Sequence, residues 1–527
     1  MKKINFLWKY EKYFFILFVL ISLLPILSSK FFPTVDGPAH LHNANLLKHI
    51  WFKGNTNLLL FFDINHQLNS NLLNHIWYAV FGLFLPSFLV EKSILLFYVI
   101  SLPFSFRYLI KNVVDAPQST KTASYLIFPF IYSFTFCIGF FNFCIGIPIL
   151  FWALGFWLKN KNKQNRATTI FLTCLVTLLY FSHLFNFLLF EIIMFSIVAQ
   201  DVFKNKMNKG TLKQVLLPIV ISLPAILLFI SFLISNNKYE HSPPSYLPKA
   251  KLIETILDLS PIITLSYEKE ILFSKIVFYS ICLILLLAII NKIRKREGVR
   301  DSNKIIWLIP TCVVLILYFI FPDWISSGGY ISIRWALFFF FMILIWIVSQ
   351  ALPPAQLIIP VVVILATHVF FINYHCEQTK LLSEDAEELA GAESHMEENT
   401  VLLPLNYSTN WIQINHACYM ATTKAIVNLD NYEPTKPHFP LIWKKGEQVY
   451  DLMKNYGNRN PPCINIENYE SHTHHHIDYI SRWLFNGDNS DSCSANVAQI
   501  LEKEFDLIYE SPHKKLLLYK RKKQNWN

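Results

Sequence analysis

What most constrains the fold of this chain is the recurrence of apolar runs long enough to cross a bilayer, joined by short loops in which the positive charge is gathered. Such runs occupy residues 13–30, 93–110, 122–138, 143–158, 167–182, 187–201, 214–235, 271–291, 305–321, 333–350 and 357–373. A helix of ~20 apolar residues spans the hydrocarbon, and an isolated segment in lipid can satisfy its own backbone only as a helix. With 53% hydrophobic, 16% aromatic and only 16% charged residues, the chain has too little polar surface to coat an ordinary soluble protein. The expected fold class is an α-helical polytopic membrane protein with about 11 crossings.

Sidedness follows from the loops. Lys2, Lys3, Lys9 and Lys12 precede the first run and no small-residue cleavage site follows it, so the first span is read as uncleaved with a cytoplasmic N-terminus. The net charge of +10 resides in short loops, 159–166, 204–213 and 292–304 among them, which removes it as a nucleic-acid signal. The loops 139–142, 183–186, 236–270 and 322–332 are neutral or acidic and belong on the opposite side. Arg107, Lys111 and Lys121 read as cytoplasmic and Asp36 as external, so an odd number of crossings separates them. Segment 71–90 carries Asn71, Asn74, His75 and Pro86 and is therefore expected to lie along the interface. An odd total places the C-terminus outside.

Near residue 373 the composition changes. Glu384, Asp385, Glu387, Glu388, Glu393, Glu397 and Glu398 arrive together, and no later run is long enough to span. The expected organisation is a transmembrane domain over 1–373 with an external loop at 31–92, followed by a small extracytoplasmic α/β domain over 374–527. The latter should hold an acidic helix, a strand over 400–405, and a hairpin of 505–509 with 515–519. Cys376, Cys418, Cys463 and Cys493 fall in this domain, and an even count in an oxidising compartment allows two disulfides, the alternative being four unpaired thiols. The run Ser471-His472-Thr473-His474-His475-His476 invites a zinc reading but lacks the spacing of a defined site.

The stretch Pro33-Thr34-Val35-Asp36-Gly37-Pro38-Ala39-His40-Leu41-His42-Asn43 follows the first span. Gly37 and Pro38 make a turn there, so Asp36 sits at the start of a helix and shares one face with His40 and Asn43. The plain alternative is an N-capping aspartate on a solvated face. Other polar residues collect on the same side of the membrane: Asn142, His183, Glu240, His241 and Arg334, with His183 also suited to capping a helix. An arginine entering an apolar span marks a phosphate, a carboxylate partner or a snorkelling side chain. The approach Gly328-Gly329-Tyr330 would admit a bulky headgroup.

This organisation resembles the GT-C superfamily of polytopic glycosyltransferases, which includes the protein O-mannosyltransferases and the lipid A aminoarabinose transferases. The resemblance covers residues 1–373. It implies a catalytic aspartate just past the first span, here Asp36, with His40 beside it, and a late-span arginine on the carrier phosphate, here Arg334. It implies a polyprenyl-phosphate sugar donor taken from the bilayer, and an acceptor that is a lipid, glycan or protein on the external face. The Asp-Glu pair of the protein mannosyltransferases is missing and loop 139–142 has no acid. The resemblance therefore fixes no cofactor; a divalent metal fits the chemistry, and His40 is placed to help ligate one. The rival readings are a transporter or flippase, which calls for ionisable residues at mid-membrane, and a non-catalytic scaffold of envelope polysaccharide assembly. No phosphate-binding glycine loop, nucleophile elbow or HExxH motif occurs.

Overall fold

The computed structural model describes residues 2–161, 163, 165–205, 209–236, 243–294, 306–325, 328–447, 464–487 and 492–523. The chain folds into two compact units. The first comprises residues 1–25, 68–71 and 95–376; the second comprises 26–67, 72–94 and 377–527.

The first unit is helical. Among the described residues of the chain, seven helices are long and apolar enough to cross a membrane, and Arg166–Ser182 and Leu308–Ile320 are shorter apolar ones. The apolar windows of Phe141–Asn160 and Ile331–Ser349 are 83% and 78% buried, whereas that of Val215–Ser235 is only 22% buried. The first two therefore form the centre of the unit, and the last presents its side chains outward, as a lipid-facing helix does. Phe130, Phe151 and Phe341 interlock at the centre, with ring centroids 5.4 to 5.6 Å apart. Gly146 permits the closest approach: a Cβ there would lie 2.1 Å from Asn186 Nδ2.

Several expected spans differ from the observed elements. Residues 122–138 do not form one helix. Pro117–Ala123 passes into a 3-10 segment, Ser124–Phe130, containing Pro129, and a separate turn of helix, Phe134–Cys137, follows. Proline cannot donate the hydrogen bond that would continue an α-helix. The expected count of about eleven crossings is thus not matched helix for helix. The span at 357–373 and the acidic helix after it are one element, Pro354–Gly391, of 38 residues. No break falls between the span and the acidic part, where Glu, Ala, Lys and Leu are all good helix formers. Segment 71–90 holds the first turn of helix Ser87–Val113 and, before it, the nine-residue helix Leu73–Phe81, which at 1.5 Å per residue is too short to cross.

In the second unit, strand β1 (Phe62–Ile64) pairs with β4 (Leu441–Trp443). A five-stranded sheet has β2 (Thr400–Asn406), β3 (Ile426–Asn428), β5 (Tyr479–Trp483), β6 (Phe505–Glu510) and β7 (Leu516–Arg521) in the order β3-β2-β5-β7-β6. β2 runs parallel to β3 and β5, and the β6–β7 hairpin expected from the sequence closes the other edge. One core joins Val401, Leu403 and Ile480 of the sheet to Leu46 and Leu47 of the helix Gly37–Lys53. Cys493 is disulfide-bonded, Cys376 and Cys418 are not in a disulfide, and Cys463 lies outside the described residues.

Candidate active site

Helix Gly37–Lys53 is the scaffold of the site. Pro38 starts it, Gly54 in the left-handed conformation ends it, and Gly37 through Leu47 are all buried. A buried helix bearing His40, His42, Asn43, Asn45 and His49 must find a partner for each. The partners lie between Ala421 and Glu433 in the sequence. Asn43 and Asn431 exchange amide hydrogen bonds of 2.9 Å each, His42 Nδ1 donates to the Ala421 carbonyl at 2.7 Å, and Asn45 donates to the Lys424 carbonyl at 2.8 Å. Burial holds the His42 imidazole down at about 4, so it stays neutral.

Asp36 stands at the N-cap position yet makes no capping hydrogen bond. That task falls to Thr34, whose hydroxyl accepts from the Gly37 N–H at 3.0 Å. Asp36 therefore does not cap this helix with its side chain. Asn415 donates to its carboxylate at 3.3 Å and to the Val35 carbonyl at 3.0 Å. The Tyr432 hydroxyl also bonds to Asp36. Burial, and then the Asp36 charge, push that hydroxyl well above the usual phenol range, so it remains a donor. Asp36 is half-buried and is held by two donors that keep it an acceptor.

One helical turn on, His40 Nδ1 pairs with Glu433 Oε1, and His75 Nε2 with Glu433 Oε2 at 2.9 Å. All three residues are buried. Burial alone would raise the Glu433 carboxyl, but the two imidazoles outweigh it and hold the group down at about 2. Their ligand atoms all lie within 4.8 Å of one another, forming the group of metal-ligating side chains found among the described residues. The expectation that Asp36, His40 and Asn43 share a face holds, and these residues meet Tyr432, Glu433 and Asn431 respectively.

In the first unit, Arg334 and His183 come together around Phe143 and Phe185. Arg334, buried in helix Ile331–Ser349, lays its guanidinium over Phe140 at 4.3 Å and lies 5.7 Å from both Phe143 and Phe185. The His183 ring lies 5.3 Å from Phe143 and 5.5 Å from Phe185, and its Nδ1 accepts from the Phe185 N–H at 3.1 Å, capping helix Leu184–Asn205. Asn142 donates to the Asn71 carbonyl at 2.8 Å. The helix carrying Arg334 starts from Tyr330 at positive φ, with the Asp323 carboxylate accepting from the Ser332 N–H at 3.0 Å. Glu240 and His241 lie outside the described residues. The run at 472–476 makes scattered contacts instead of one site: His475 faces Glu447 at 3.6 Å and exposed His476 faces Glu470 at 3.3 Å.

Sequence reasoning missed Tyr432, Glu433 and Asn415, since Asn431-Tyr432-Glu433-Pro434 belongs to no motif. His75 was visible only as a polar blemish in a poor span. Glu91 was also missed; it is fully buried and accepts from the Tyr419 hydroxyl at 2.8 Å and the Phe32 N–H at 3.2 Å.

No protein-family model and no curated protein matches this chain. Solved structures do. ArnT from Cupriavidus metallidurans in the apo state aligns over 96% of this chain and 97% of its own, with a TM-score of 0.56 and 9% identity. The same protein bound to undecaprenyl phosphate aligns over 97% and 98%, with a TM-score of 0.53 and 8% identity. The arabinofuranosyltransferase AftD from Mycobacteria matches 97% of this chain and 40% of its own length, with a TM-score of 0.53 and 10% identity. The chain has the GT-C fold, and it is an integral, multi-pass membrane protein.

Proposed function

We propose that this protein transfers a sugar from a polyprenyl-phosphate carrier to a lipid, glycan or protein acceptor on the external face of the membrane. The observation that carries the reading is Asp36: a half-buried carboxylate at a helix start, released from capping by Thr34 and oriented by Asn415 and Tyr432. In the proposed step the acceptor hydroxyl oxygen bonds to the anomeric carbon while the bond from that carbon to the phosphate oxygen breaks. The hydroxyl proton passes to Asp36, and polyprenyl phosphate leaves with the electron pair. Such a reaction needs a positioned base and a cation at the oxygen that gains charge. Arg334 is proposed for the second role. Its setting supports this, because a guanidinium over aromatic faces stays charged in apolar surroundings. ArnT, which shares the fold, binds undecaprenyl phosphate.

The test is transfer from labelled polyprenyl-phosphate sugars in purified, folded protein. Asp36→Asn keeps size and most hydrogen bonding but cannot take the proton, so turnover should fall ~100-fold or more with donor binding retained. Arg334→Ala should weaken donor binding as well as slow transfer, and Arg334→Lys should rescue only in part, because it restores charge without the planar fork. Near-normal transfer by Asp36→Asn would remove the base. Unchanged donor affinity in Arg334→Ala would leave that arginine a packing role.

A further inference from the structure

The geometry points to a divalent transition-metal site of the zinc class formed by His40, His75 and Glu433. Two imidazoles and one carboxylate are the donor set of three-ligand zinc sites that keep a fourth position open, and two nitrogen ligands disfavour magnesium and calcium, which take oxygen. The atoms that would ligate are His40 Nδ1, His75 Nε2 and the Glu433 carboxylate, all within 4.8 Å of one another. A tetrahedral ion with bonds of ~2.0–2.2 Å spaces its ligand atoms roughly 3.4 Å apart, so small side-chain movements suffice.

Charge argues the same way. A carboxylate with almost no access to water has two imidazoles as its described partners. A buried carboxylate is a costly excess of negative charge unless a cation offsets it. A dication removes that excess and needs only that each ligating nitrogen give up its proton. Phe439 lies 6.0 Å from the His40 ring and 5.5 Å from the His75 ring, an apolar wall of the kind that keeps ligands from exchanging freely with water.

The three ligands come from three separate elements. His40 is on Gly37–Lys53, His75 on Leu73–Phe81, and Glu433 on the 3-10 turn Glu433–Thr435. An ion would therefore tie these elements together. It would do so beside Asp36, because His40 follows that residue by one turn and Tyr432, which bonds to Asp36, precedes Glu433 in the chain. The ion is assigned a positioning role, and the site is independent of whether the chain transfers sugar.

The test uses the full-length, untagged protein in detergent, stripped with chelator and titrated with Zn2+ alone, with Co2+ as a spectroscopic stand-in. One equivalent of zinc should be retained, and cobalt should show visible bands of low coordination number. Affinity should fall at least 100-fold in Glu433→Gln and in His75→Ala. It should be unchanged in the double variant His474→Ala with His476→Ala, which controls for the exposed histidine run. Should the first variants misfold, X-ray absorption on the zinc-loaded wild type decides the matter, with two imidazole nitrogens and a carboxylate expected at the ion. Failure to retain zinc, or loss of binding only in the double variant, would overturn the site. Zinc binding with no sugar transfer would leave it standing and remove the proposed function instead.

Discussion

At the scale of the residue, this protein separates polar groups that are paired for packing from groups that are paired for chemistry. His416 is fully buried with neither ring nitrogen hydrogen-bonded, lying edge-on to Tyr419 at 5.7 Å. Burial holds its imidazole down at about 3 against 6.5 for the free side chain. Between those values the unfolded chain binds a proton that the folded one does not, so stability falls as pH drops from 6.5 towards 3. At pH 5 the loss from this residue is about 2 kcal/mol, at ~1.4 kcal/mol per unit. His416→Phe keeps a ring in place without the proton, and its thermal midpoint should drop less between pH 7 and pH 5 than that of the wild type. An equal drop would show that the imidazole is not desolvated. Some of this scale was legible in the sequence. Asp36 and His40 stand out by position, whereas Glu433 does not: it reaches His40 across 393 residues, and no local pattern marks a carboxylate whose partner is that distant.

At the scale of the element, periodicity worked where helices are regular and failed where backbone chemistry intervened. Helices Phe141–Asn160 and Ile331–Ser349 fall within two residues of the expected spans, because long apolar runs in lipid have no other way to satisfy their backbone. The run over 122–138 is just as apolar, but Pro129 and the turn before Phe134 break it. Close packing offers a test. Gly146 faces Ser182 and Asn186, and Asn186 cannot easily give way because its amide donates to the Phe143 carbonyl at 2.8 Å. Gly146→Ala should cost ~1–3 kcal/mol by overpacking, read as a lower thermal midpoint in detergent, and Asn186→Ala should recover part of the loss. An unaltered midpoint would mean that the two helices separate without penalty.

At the scale of the whole molecule, topology is the testable expectation. The basic loops predict that residue 60 is external and residue 115 cytoplasmic, with 71–90 not crossing. Leu60→Cys should react with an impermeant thiol reagent in intact cells, and Asp115→Cys should react only after the membrane is opened, against the unmodified chain as background. Both positions are exposed in the structure, so a lack of labelling is not a matter of burial. Label at both from outside, or at neither, would refute the assignment. The sequence by itself determined that this is a many-helix membrane protein with a hairpin at 505–509 and 515–519, because hydrophobic run length and turn chemistry are local properties of the chain. Only the tertiary structure decided that residues 26–67 and 72–94 fold with 377–527 as one unit. It also decided that Thr34 frees Asp36 from capping, and that His40, His75 and Glu433 converge. Those outcomes depend on side chains meeting across hundreds of residues, where the burial of one polar helix selects the partners and no spacing rule encodes them.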